Sequence, residues 1–366
     1  MDESTEVLAI AEQRRARLRT FLREQGLDGI LISRRDNFAW LTCGGANSVL
    51  RMTEFGSATA LVTREKQYLI AYTMDCGRIL EEQIVGQGYE PVVCRWYEDD
   101  PATKASKLLT GTFVSDLPLS GMRTVDLTRM HGPLAPLEME RCRSLGAATA
   151  AAFETVVKKI SPGMSEIEIS RLLGTELMLR DLDAEVLITG SDERIGRYWH
   201  ALPSSKRVEQ YALIHAAAGK WGLHACVNRL ISFSEPPEWV RHAHDAAKTI
   251  LARVLSMIRE GTAYRDILKC QKDGYAELGF EDDWKLHFQG GAMGYYLGDP
   301  LRCTTDMHVE NEQAFDWFIT VRGVQTEELI LLTEGMPEIA SRGERWPCSE
   351  IETRTGIVTM PDIYVL

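Results

Sequence analysis

The chain has no Cys-x-x-Cys pair, no apolar run near the ~20 residues a membrane helix needs, and no long run of Lys or Arg. Its first residues, Met1 to Arg14, are polar and charged and contain no apolar signal-peptide core. These absences argue against a short disulfide framework, a signal peptide and a membrane-spanning helix. The eight cysteines (Cys43, Cys76, Cys94, Cys142, Cys226, Cys270, Cys303 and Cys348) are scattered, as expected of small apolar core groups in a reducing cytoplasm. Lys and Arg number 41 against 53 Asp and Glu, a formal charge of −12. A nucleic-acid surface needs clustered positive charge, so no nucleic-acid partner is expected. With 366 residues, 45% hydrophobic and 26% charged, the chain is long enough for two globular domains.

Periodicity supplies the organisation. Leu8, Ala11, Leu18, Phe21 and Leu22 fall at helical spacing and predict a helix over 7–25, ending near Gly26. Leu27–Ser33 reads as a strand, Ser57–Thr63 with Gln67–Ala71 as a strand pair, 77–86 as a helix and Pro91–Trp96 as a further strand. The alternation predicts a sheet covered by helices. Around Pro133–Pro136 a long helix begins and runs towards Val157, so the boundary is placed at 133, giving domains 1–133 and 134–366. Pro162-Gly163 breaks that helix, and Ser165 with Glu168 forms a capping box for the next. Ile160-x-x-Gly163 before Ile169 has an echo in Ile258-x-x-Gly261 before Ile267, a weak internal repeat.

His287-Phe-Gln-Gly-Gly-Ala-Met-Gly294 resembles the His-x-x-Gly-His-x-x-Gly signature of the creatinase/prolidase/methionine aminopeptidase family. Asp36–Thr42 is similar to the segment after the first strand in that family's N-terminal domains. The resemblance implies an α/β N-terminal domain followed by an α+β "pita-bread" domain built from two related halves. Metal-dependent members hold two cations with two Asp, one His and two Glu. Here His215 stands at the first Asp, Cys226 at the second and Gly291 at the His; Thr320-Val321-Arg322-Gly323 stands where the first Glu is expected. Glu327 alone remains. The expectation is therefore no bound metal and no cofactor. The rival is a single Zn²⁺ held by His215, Cys226 and Glu327, all legitimate ligand types.

Trp284–Tyr295 and Glu312–Trp317 are similar to a metal-poor branch of the family, as is Arg197-x-x-His200-x-x-Pro203. Gly298-Asp299 departs from that branch, which has Arg-Glu there. In creatinase, which is metal-free, a His at the position of His200 serves as general base and acid. The resemblance thus makes His200, Glu327 and His287 the catalytic candidates. Arg229, Arg197, Gln289, Tyr295, Trp317 and Arg35 are the substrate-binding candidates. Arg229 has two readings, a bidentate carboxylate binder or an ion pair with Glu327; Trp317 is packing or a pocket wall. The implied activity is metal-independent chemistry at a C–N bond of a small amide, amidine or amino-acid-like molecule: hydrolysis, or a lyase or cyclisation step. The alternatives are a catalytically silent binding protein on the same fold and a metallopeptidase with an altered metal site. The resemblance further implies a homodimer in which Arg34-Arg35-Asp36-Asn37-Phe38 of one subunit rims the other's cleft.

Overall fold

A computed structural model describes residues 2–50, 52–98, 101–108, 111–296 and 307–366. The chain divides into two compact units, Met1–Gly132 with Trp221–Leu223, and Pro133–Lys220 with His224–Leu366.

In the first unit, α1 (Glu3–Glu24) starts earlier than its apolar spacing suggests because the Asp2 side chain accepts the N–H groups of Ser4 and Thr5. Ala11, Leu18 and Leu22 form its buried stripe. The chain continues through β1 (Gly29–Arg34), α2 (Arg35–Thr42), β2 (Phe55–Thr63), β3 (Gln67–Tyr72), α3 (Thr73–Arg78), β4 (Glu90–Cys94), α4 (Pro101–Leu108), β5 (Phe113–Ser115), β6 (Arg123–Thr124) and α5 (Thr128–His131). The six strands form one mixed sheet in the order β4-β3-β2-β1-β5-β6. Ser57–Thr63 and Gln67–Ala71 pair antiparallel as expected. The helix expected over 77–86 is instead α3 followed by a single wide π turn, Ile79–Gln83.

The second unit begins with α6 (Pro136–Val156) and α7 (Glu166–Met178). The Ser165–Glu168 capping box is present: Ser165 Oγ accepts from the Glu168 N–H, and Glu168 accepts from the Ser165 N–H. Next come β7 (Asp183–Ser191), β8 (Tyr211–Lys220), β9 (Leu223–Ser232), α8 (Glu238–Met257), α9 (Tyr264–Glu277), β10 (Gly291–Met293), β11 (Gln313–Val321) and β12 (Val324–Thr333). The chain ends with β13 (Met336–Ile339), β14 (Cys348–Thr353), β15 (Gly356–Pro361) and β16 (Tyr364–Val365). Two four-stranded sheets result, β16-β9-β8-β7 and β10-β11-β12-β13, beside a β14-β15 hairpin. Tyr264 and Tyr275 of α9 share one buried cluster with Phe315, Trp317 and Ile330 of the second sheet.

The weak repeat is real. Gly163 and Gly261 both take φ +84, a left-handed value open to glycine. The Gly163 N–H donates to the Val208 carbonyl, and the Gly261 N–H donates to that of Val309. Ser165 then bridges to Arg207, and Ala263 bridges to His308. One turn geometry thus starts α7 and α9, the same step in each half of the unit.

Candidate functional site

Side-chain alternation along strands decides what reaches the cavity of the second unit. On β11, Asp316 and Phe318 line it, while Phe315, Trp317 and Ile319 face the core. On β12 the lining residues are Gln325 and Glu327; on β9, Cys226; on β8, His215 and Ala217; on β7, Val186 and Ile188. Two loops close the rim, one bringing His200 and Leu202, the other His287, Phe288 and Gly290. The cavity holds about 390 Å³, the scale of a small-molecule site.

Gly290 sets the second loop against the sheet. At φ +84 its Cβ would stand 2.1 Å from the Asp316 carbonyl oxygen, so no other residue fits. Gln289 braces the turn from behind: its Nε2 donates to the carbonyls of His287 (3.0 Å) and Trp284 (3.3 Å). The ring of His287 lies edge-on to Phe318 with centroids 5.1 Å apart.

His200 and His287 meet Nε2 to Nε2 at 3.0 Å. His287 Nδ1 lies 3.0 Å from the Phe288 carbonyl, which can only accept, so Nδ1 carries the proton. His287 Nε2 is then the acceptor, His200 Nε2–H the donor, and His200 Nδ1 the free basic nitrogen. Burial, followed by the neighbouring His200, lowers the pKa of His287 to about 4. Burial also lowers that of His200, with His215 adding to it. Both rings are neutral bases at neutral pH.

The floor has the opposite bias. Burial pushes the Glu327 carboxyl up to about 8 and holds Asp316 well above the carboxylate range, with the Glu327 charge adding to the effect at Asp316. The Cys226 thiol is likewise pushed up by burial, then by Asp316. Burial lowers His215 to about 4. His215 Nδ1 and Glu327 Oε2 are 2.7 Å apart, yet His215 Nδ1 lacks the alignment of a hydrogen bond. With the imidazole neutral and the carboxyl protonated, the contact is not an ion pair. Asn228 Nδ2 donates to Gln325 Oε1 (3.1 Å), whose Nε2 reaches Glu327 Oε2 (3.4 Å), so a short amide relay orients the acid.

Several expected site residues lie elsewhere. Arg229 is odd-numbered on a strand whose even-numbered Cys226 faces the cavity, so it points to the opposite side. There it is buried against Glu328 (Nη1 to Oε1, 2.6 Å), not Glu327, and donates to the Ser341 carbonyl (2.6 Å). Trp317 is fully buried, stacked on Phe315. Tyr295 is buried with its hydroxyl donating to Glu138 Oε1. Gln289 supports His287 rather than lining the cavity. Arg197 is exposed and also outside the lining. Arg35 opens α2 in the first unit and donates to the Thr53 carbonyl (3.4 Å). Gly298-Asp299 falls outside the described residues.

The ligand reading also changes. Thr320–Gly323 is the end of β11 and its hairpin turn, where Arg322 is exposed at φ 49. The carboxylate that joins Glu327 is Asp316, opposite Gly291 in register. Donor atoms of Cys226, Asp316 and Glu327 all lie within 4.8 Å of one another. His215 touches Glu327 but stands outside that trio. Asp316, Gln325 and Phe318 were legible in principle, since they share strand parity with one another or with Glu327.

Residues 140–334 match a family described as Metallopeptidase family M24, and residues 14–115 match the Creatinase/Prolidase N-terminal domain. The chain belongs to the M24 family. The second unit is accordingly its pita-bread domain, and the scaffold is one of C–N bond hydrolases. No curated protein matches the sequence. Among solved structures, the Xaa-Pro dipeptidase from Bacillus anthracis is similar at TM-score 0.75 and 18% identity, covering 97% of this chain and 100% of that one. The prolidase from Pyrococcus horikoshii OT3 gives 0.76 and 15%, covering 91% and 99%. The N-terminal domain of FACT complex subunit SPT16 from Cicer arietinum gives 0.68 and 10%, covering 91% and 96%. Among the described residues, no helix is long and apolar enough to cross a membrane.

Donor chemistry tests this M24 member against its family's metals. A pair of hard cations is held and bridged by carboxylates. Here a thiol and an imidazole occupy two of the four converging positions, and Gly291 offers no ligand. The set does not fit a two-cation centre.

Proposed function

We propose that this chain hydrolyses a C–N bond of a small amide by acid–base catalysis, without the paired cations of its family. One observation carries the reading: two imidazoles biased to the free base and a carboxyl biased to the acid line the same cavity. Pairs of titratable groups pushed apart by their surroundings mark the acid and the base.

His200 Nδ1 takes a proton from water as its oxygen adds to the amide carbon. The charge spreads through His200 Nε2–H to His287 Nε2. The protonated Glu327 donates a hydrogen bond to the carbonyl oxygen, where negative charge develops. The C–N bond then breaks, and the proton held by the histidine pair passes to the leaving nitrogen. Water and amide become acid and amine with no proton left over.

The runner-up is a silent binding protein on the same scaffold. It leaves the convergence of His200, His287 and Glu327 on one cavity without a use. A single zinc on Cys226, Asp316 and Glu327 is the third reading, and metal content separates it from the first. The test of the acid–base reading is the pH dependence of kcat/KM together with His200→Ala. The profile is expected to be a bell, rising below the ordinary histidine value of 6.5 and falling through about 8 as Glu327 loses its proton. His200→Ala is expected to lower the rate ~10²–10⁴-fold with the fold intact. A flat profile, or a variant with wild-type turnover, sinks the mechanism.

A further inference from the structure

We propose that Glu166 is the positioning residue for His200: its carboxylate clamps both arms of the loop that carries the imidazole and so holds that ring against His287. The catalytic consequence rests on the hydrolytic reading above; the clamp itself does not. His200 is exposed at the rim and meets His287 through one hydrogen bond. A single exposed contact does not offset the cost of ordering a ring, so the aim of His200 has to come from the backbone on either side of it.

Glu166 is the first residue of α7 and is 0% exposed. It accepts from five donors. Oε1 takes the Ser191 N–H (2.9 Å), the Ser191 hydroxyl (2.8 Å) and the Arg194 Nε–H (3.0 Å). Oε2 takes the Ser204 N–H (3.0 Å) and the Ser204 hydroxyl (2.6 Å). Ser191 ends β7, where the loop departs, and Ser204 lies beyond His200 on its return. One oxygen therefore holds the outgoing arm and the other the incoming arm. Arg194 extends the clamp: its Nη2 donates to the Leu202 carbonyl at 2.8 Å, two residues past His200. The start of α7 adds the Glu166 N–H to the Lys206 carbonyl (3.0 Å) and the Ile167 N–H to the Ser204 carbonyl (3.2 Å), using donors that a helix start leaves without an intrahelical partner.

Close packing completes the hold. A Cβ on Gly190 would stand 2.7 Å from that of Ala201, the residue after His200. Gly323, at φ +84 in the β11–β12 turn, approaches the outgoing arm so closely that its Cβ would stand 1.9 Å from the Ile195 carbonyl oxygen. Asp192 takes φ 51 and accepts from the N–H groups of Glu209, Gln210 and Tyr211, which ties the base of the loop to the start of β8. His200 is thus carried on a preorganised loop. A glutamine at 166 cannot reproduce the clamp. Its carbonyl keeps one arm, but its amide nitrogen then faces a backbone N–H on the other, donor against donor.

Hydrogen exchange of the whole chain, read by mass spectrometry of its fragments, tests the clamp without turnover. In Glu166→Gln the amides of 194–205 are expected to exchange at least ~10-fold faster than in the wild type, while those of β11 and β12 keep their rates. Ser204→Ala removes one donor and is expected to accelerate the same fragment to a smaller extent; it carries the test if Glu166→Gln does not fold. Unchanged exchange over 194–205 in a folded variant overturns the proposal. So does faster exchange spread evenly over all fragments, which marks a general structural role. With para-nitroacetanilide as the amide, Glu166→Gln is expected to lose ~10²-fold in kcat with KM within about threefold, the effect of a base displaced by ~1 Å beside intact cavity walls. Normal kcat in a variant whose loop exchanges fast overturns the positioning role and leaves the hydrolytic reading standing, and so does a raised KM at normal kcat. A wild type inert towards the amide, with the exchange results as expected, counts against the hydrolytic reading and leaves the clamp standing.

Discussion

Glu327→Gln is expected to make the protein more stable and inactive, and the size of the gain follows from where the carboxyl sits. Glu327 is 3% exposed, and burial raises its pKa from 4.5 to about 8. Between those values the native state holds a proton that the unfolded chain has released. A folded pKa raised in this way contributes stability that is complete below the unfolded value and lost as pH rises through the folded one. The loss is about 1.4 kcal/mol per pH unit. Accumulated from 4.5 to about pH 7.5, it is on the order of 4 kcal/mol. Gln keeps a carbonyl that accepts from Gln325 Nε2 and carries no proton that can be lost as pH rises. Urea unfolding between about pH 6.5 and pH 8 reads the effect as a difference between the two proteins, which carry the same histidines. The wild-type free energy should fall with pH more steeply than the variant's by up to about 1.4 kcal/mol per unit, at unchanged m. Parallel pH curves would refute the reasoning, because Glu327 would then be ionised in the native state with a cation beside it.

Three further outcomes are expected. Protein purified without chelator should contain no stoichiometric Mn, Co or Zn; one equivalent of zinc selects the single-ion reading, and two equivalents of any ion restore the family's centre. Arg229→Leu should cost ~3–5 kcal/mol by leaving the buried Glu328 unpaired, with KM unchanged in whatever protein remains folded; a raised KM with normal stability would return Arg229 to the substrate. We also propose a homodimer, the commonest closed assembly, in which Arg35 of one subunit serves the other's site. Light scattering that shows a monomer at micromolar concentration removes this. So does a failure of mixed Arg35→Ala and His200→Ala subunits to recover activity.

Much of the scaffold was legible because its signals are local. The Ser165–Glu168 box, the Pro-Gly breaks and the strand pair before Tyr72 are each set by residues a few positions apart, and they fold as their neighbours dictate. The catalytic candidates His200, His287 and Glu327 were also legible, through motifs. What failed was the assignment of faces. Of the two readings open to Arg229 and to Trp317, the substrate-facing one fails on strand parity: Arg229 is out of phase with the lining Cys226, and Trp317 stands one residue from the lining Asp316. A shift of one position on a strand reverses the face. Tyr295 and Gln289 failed for another reason: their polar atoms are consumed by Glu138 and by loop carbonyls distant in sequence or hidden in a turn. Asp316 was missed because the motif led to the hairpin end at Thr320–Gly323, whereas strand register places the acid opposite Gly291.

That face separation explains how a family scaffold can lose its ligands and keep its fold. The second unit is held by groups on the side away from the cavity. Arg229, Glu328 and Ser341 close a buried network behind β9 and β12, with the Ser341 hydroxyl 2.6 Å from Glu328 Oε2. Tyr275 accepts the Thr320 N–H at 3.1 Å and donates to the Thr320 carbonyl, pinning β11 to α9. The paired glycine turns at Gly163 and Gly261 start the same helix in each half by backbone geometry alone. None of these contacts uses a cavity-facing side chain. His215, Cys226, Gly291 and Asp316 can therefore differ from a carboxylate-rich set at little cost to the architecture. The cost that remains falls on protonation: without cations to neutralise them, two adjacent buried carboxyls retain their protons. In the reading proposed here, that retained acidity is what the chemistry uses.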